Sequence, residues 1–89
     1  MLILFMKGEF KMNKNKFGEF LELLRLEANI KSKEIAEKLK MNLSDYFNVE
    51  LGLLKMSQEQ FLKACKLLVT NDKEKERFTK LYEESLKED

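Results

Sequence analysis

The stretch at 31–52, KSKEIAEKLKMNLSDYFNVELG, constrains this chain most, because two short apolar rhythms of helical spacing are joined with almost no chain between them. Ile35, Ala36 and Leu39 mark one inward face, and Tyr46 and Val49 mark the next. Each set follows the three- and four-residue spacing that stacks side chains on one side of a helix. Ser32 and Asn42 have side-chain oxygens suited to capping the two starts, and Gly52 suits the end of the second helix. Ala36 is small enough to admit another helix closely. Two such helices cannot enclose a core alone, so the rest of the chain has to supply the other walls.

Three further helical patterns do so. Between Asn15 and Ala28, Phe17, Phe20, Leu21, Leu24 and Ala28 form one apolar stripe, with Leu23 and Leu26 off it, and Asn29 fits a left-handed C-terminal cap before the link at Ile30. Ser57-Gln58-Glu59-Gln60 reads as a capping box opening a helix expected to bury Phe61, Leu62, Cys65 and Leu68. Asn71 and Asp72 then cap a last helix striped by Phe78, Leu81, Tyr82 and Leu86. With no Pro and three Gly in 89 residues, the expected fold class is all-α, a compact five-helix bundle. The expected organisation is an arm at 1–16, a body at 17–69 and a C-terminal helix at 70–89. That helix either closes the core or pairs two copies through Phe78, Leu81, Tyr82 and Leu86.

The net charge is +1, so no global field steers the chain to nucleic acid, and the local distribution has to decide. Residues 1–16 carry four Lys against one Glu, 17–69 carry eight basic against eight acidic, and 70–89 carry five against seven. A single cysteine, Cys65, forms no internal disulfide, which points to the cytoplasm. Without any His there is no imidazole ligand and no Cys–His pair, and three scattered glycines build no phosphate-cradling loop. No enzyme, cofactor or metal is expected. Asp72, Glu74, Glu76 and Glu83 mimic the spacing of a calcium loop, but Arg77 stands where the turn needs Gly and the segment is helical in pattern.

Met1 to Met6 form an apolar run too short to span a bilayer, so no membrane partner is expected. Two readings of it stay open. Lys7-Gly8-Glu9 is what a purine-rich ribosome-binding sequence would encode, with translation starting at Met12; alternatively, 1–11 is an apolar arm that packs on the body or on a second subunit.

Taken together, Phe17-Gly18-Glu19, Leu24-Arg25, Ile35-Ala36-Glu37-Lys38-Leu39, Val49-Glu50 with Gly52, and Phe61-Leu62-Lys63-Ala64-Cys65 make the chain resemble the Cro and cI-type phage repressor family, the XRE-like helix-turn-helix domains, over roughly 17–69. The resemblance implies a lambda-repressor-like bundle and a dimeric transcription regulator on double-stranded DNA, of phage or mobile-element type. It implies that Leu43, Ser44 and Asn48 point at base edges, with Phe47 beside them, and that the start of the second helix and the loop after the third hold phosphates. The expected DNA-binding set is Lys31, Ser32, Lys33, Asn42, Leu43, Ser44, Phe47, Asn48 and Lys55. Asn48 can pair with adenine, and Leu43 or Phe47 can touch a thymine methyl. Glu50 is expected to pair within the domain, with Arg25.

Two features depart from the family pattern. Asp45 and Glu50 give the third helix a charge of −2. Leu43, Phe47, Leu51 and Leu54 form a second apolar stripe apart from Tyr46 and Val49. Such a stripe needs a cover. The alternative function is therefore a protein-binding module that grips its partner through these four residues, for instance a phage-encoded inhibitor of a host defence complex; a third is a dimer-forming accessory domain whose interface is this stripe.

Overall fold

A computed structural model describes residues 16–87, and within them the chain is five helices with no strand. The apolar run at 1–6 and the choice of start residue lie outside the described residues. The helices are α1 (Lys16–Glu27), α2 (Ser32–Lys38), α3 (Leu43–Glu50), α4 (Gln58–Leu68) and α5 (Asp72–Lys87). Helix α1 lies against both α3 and α5, while α2 packs on α3 and α4 on α5.

The core has an aromatic half. Phe17 stacks on Phe78 with centroids 5.0 Å apart, and Phe61 stacks on Tyr82 at 4.2 Å, so four rings lock α1, α4 and α5 together. Aliphatic side chains from α1, α2 and the α2–α3 link complete the core with Tyr46 and Val49; Leu21, Ile35, Leu39 and Tyr46 are all essentially inaccessible. The Tyr82 hydroxyl donates to the Met56 carbonyl at 2.8 Å, which pins the loop after α3 to α5.

Each of the first three helices stops in the same way. Asn29, Lys40 and Gly52 take left-handed backbone, with φ of 60°, 60° and 83°. In each case the N–H of the following residue reaches back five residues: Ile30 to Arg25 at 3.1 Å, Met41 to Ala36 at 2.9 Å, and Leu53 to Asn48 at 2.8 Å. These are Schellman closures, which satisfy carbonyls that the helix end leaves open. Lys40 adopts this conformation without the freedom of glycine.

Several expectations are corrected. Leu62 is half exposed, because the buried set on α4 is Phe61, Ala64, Cys65 and Leu68 and Leu62 lies one helical step off that face. Lys31, not Ser32, occupies the capping position of α2 and makes no side-chain cap. Phe78, Leu81 and Tyr82 are buried within the single chain, so they close the core; Leu86 alone of that stripe stays exposed. Among the described residues no helix is long and apolar enough to cross a membrane.

Candidate nucleic-acid interface

Helix α3 is aimed by its buried side. Arg25, itself 8% exposed, donates from Nε to Glu50 Oε2 at 2.9 Å and from Nη1 to the Ile30 carbonyl at 3.1 Å. The Tyr46 hydroxyl donates to the same Glu50 oxygen. One guanidinium thus joins α1, the α1–α2 link and the end of α3. Burial and the Glu50 hydrogen bond hold the Tyr46 phenol well above its ordinary range, and Glu50 strengthens the hold of Arg25 on its proton.

With Tyr46 and Val49 turned inward, the helical period sets the outer face of α3. It centres on Ser44 and Leu51, with Leu43 and Phe47 along one flank and Asn48 along the other. Leu43, Ser44, Phe47 and Leu51 are exposed and Asn48 is half-buried. Asn42 caps the start, its Oδ1 accepting from the Asp45 N–H at 2.7 Å.

The charge of this face is milder than its sequence suggests. Glu50 is neutralised from within by Arg25, so it subtracts nothing outside. Asp45 sits in the first turn of α3, where a carboxylate offsets the positive end of the helix dipole, an effect of about 0.3–1 kcal/mol. Lys31, Lys33, Lys40 and Lys55 are exposed, and Ser32 is half-buried at the start of α2. Lys55 donates from Nζ to the Leu86 carbonyl at the end of α5, at 3.5 Å.

The structure therefore brings Leu43, Ser44, Phe47 and Asn48 to one surface, with Lys31 and Lys33 on the partner helix. The apolar stripe is uncovered by α5: Leu43 is 39%, Phe47 43%, Leu51 64% and Leu54 40% exposed. Sequence reasoning missed Lys40 as a turn residue and Met56 as a buried anchor. The first carries no local signal, whereas Met56 is an apolar residue that pattern alone assigned to a loop. Among the described residues no group of three or more Cys, Asp or Glu converges as a metal site would require. No family model, characterised protein or solved structure matches this chain.

Proposed function

We propose that this chain is a helix-turn-helix DNA-binding regulator of the lambda-repressor-like type, which lays α3 in the major groove and works as a dimer on an operator. The observation that carries the reading is the internal neutralisation of Glu50 by Arg25. It leaves Ser44 and Asn48 facing outward with lysines on the flanking backbone and no uncompensated acid at the centre of the face. On this reading Asn48 reads an adenine, Leu43 and Phe47 contact thymine methyls, and Lys31 and Lys33 hold phosphates. The resemblance carried by 17–69 supports the same reading.

The test is a fluorescence-anisotropy titration against the DNA just upstream of the chain's own coding sequence, with scrambled DNA as control, at two salt concentrations. Selective binding that weakens with salt is expected. Asn48→Ala should cost roughly 1–3 kcal/mol at its cognate site, while Lys33→Ala should weaken both DNAs and flatten the salt dependence. Equal, weak binding to both DNAs would refute the reading.

A second reading has its own observation. Leu43 and Phe47, at 39% and 43% exposure, continue into Leu51 and Leu54 as an exposed apolar stripe. A protein partner docking on α3 would bury it, and Phe47→Asp would abolish that complex.

A further inference from the structure

We propose that Asp45 is a specificity-determining residue, whose carboxylate accepts a hydrogen bond from the amino group of a cytosine beside the adenine read by Asn48. The inference rests on the reading of α3 as the major-groove helix, and its test separates the two.

The two acids of α3 have different fates. Glu50 is held by Arg25 and by the Tyr46 hydroxyl. At Asp45 the engaged group is the backbone N–H, which donates to the Asn42 side chain at 2.7 Å. Its carboxylate is exposed and makes no hydrogen bond or ion pair among the described residues. The helix dipole favours an acid in this first turn, and the period of α3 then decides what that acid can meet.

Asp45 precedes Asn48 by three residues, so it lies about 60° around the helix from Asn48 and about 4.5 Å nearer the helix start. That places it beyond Asn48 on the same flank, opposite the apolar flank of Leu43 and Phe47. The N-terminal part of a helix laid in the major groove is the part that reaches base edges. Successive bases of one strand are about 3.4 Å apart, so two side chains at this separation address neighbouring base pairs.

The chemistry of the carboxylate selects the base. An ionised carboxylate accepts hydrogen bonds and donates none. In the major groove guanine presents two acceptors, and thymine presents an acceptor beside its methyl group. Adenine pairs an acceptor with its amino group, a pattern that suits the amide of Asn48. Cytosine presents a donor with no acceptor on the same base, and is the one match for Asp45. The same charge repels phosphates, so any register that carries Asp45 onto the backbone is penalised. Asp45 thereby rejects wrong sites as well as accepting the right one.

Selection from randomised DNA duplexes by the full chain, run in parallel on the wild type, Asn48→Ala, Asp45→Asn and Asp45→Ala, tests this. The wild type should favour cytosine at one position by roughly tenfold over the other bases, and that position should adjoin the one whose preference Asn48→Ala erases. Asp45→Asn should exchange the cytosine for adenine. Asp45→Ala should leave the position without preference while the rest of the motif stands. Position 45 is exposed, so both variants should remain folded by circular dichroism. An Asp45→Ala motif that matches the wild type's at every position would overturn the proposal and leave the DNA reading intact. So would a changed position that held no cytosine, or one that does not adjoin the position lost in Asn48→Ala. A wild type that enriches no motif would remove both.

Discussion

Replacing Arg25 by methionine should destabilise the domain by about 3–5 kcal/mol, the range for breaking one side of a buried ion pair. Methionine keeps most of the aliphatic volume, so the loss is mainly electrostatic. Two bonds disappear, to Glu50 Oε2 at 2.9 Å and to the Ile30 carbonyl at 3.1 Å. Both charged side chains are 9% exposed, which leaves little solvent to screen the carboxylate left behind. The Ile30 carbonyl adds about 1 kcal/mol or somewhat more if water does not replace the lost donor. A domain of this size holds roughly 4–11 kcal/mol in total, so the variant should stand near its folding limit. Combining Arg25→Met with Glu50→Leu removes the stranded charge and should recover part of the loss, reduced by the hydrogen bond that the Tyr46 hydroxyl then loses. Urea melts at pH 7 followed by far-UV circular dichroism measure all three variants. A single-variant loss below about 1 kcal/mol, or a double variant as unstable as the sum of the singles, would refute the view of this pair as a buried clamp.

Two further outcomes follow from the geometry. Tyr46 and Tyr82 both have raised folded-state pKa values, chiefly from burial, so their contribution to stability is complete below the unfolded value near 10 and is lost as pH rises above it. Stability should be insensitive to these groups up to about pH 9 and then fall, by up to about 1.4 kcal/mol per pH unit for Tyr46, whose phenol is held far above its ordinary range, with Tyr82 adding in the same direction. Tyr46→Phe should therefore show a shallower alkaline slope, and an unchanged slope would contradict the burial of the phenol. Lys40→Gly relieves a left-handed backbone at φ 60° and should raise stability by about 0.5–1 kcal/mol, read as a higher melting temperature; a lower one would mean that the lysine side chain contributes more than its backbone costs.

Where local chemistry decides the conformation, the sequence was a sound guide at most helix ends, Ser32 being the exception because Lys31 takes the capping position of α2. Asn42, Ser57 and Asn71 cap the helices they were expected to open, because a short polar side chain reaches the free N–H groups of the next turn without help from the rest of the chain. Asn29 and Gly52 end helices for equally local reasons. The pairing of Arg25 with Glu50 crosses 25 residues, yet it was legible because the resemblance placed both. What failed was burial at the edges of apolar faces. Leu62 and Leu86 look like core on a helical wheel, but whether a marginal position is covered depends on where neighbouring helices lie, which no spacing encodes. Lys40 was illegible for the opposite reason: its conformation is imposed by Met41 and the packed link, not by its own side chain. The spacing put Leu43, Ser44 and Phe47 on the exposed side of α3, and the silencing of Glu50 follows from the pairing with Arg25 that was expected for it.

The side chains that orient α3 and those it presents are separate sets. Arg25, Tyr46 and Glu50 fix its direction from beneath, and the left-handed turn at Lys40 with Met41 fixes its entry, whereas Leu43, Ser44 and Phe47 are exposed and none of them enters that hydrogen-bonded clamp. Mutation can therefore rewrite what the helix meets without disturbing where the helix points. A scaffold divided in this way can drift between unrelated ligands through steps that each leave a folded protein, and an engineer retargeting this domain inherits the same freedom.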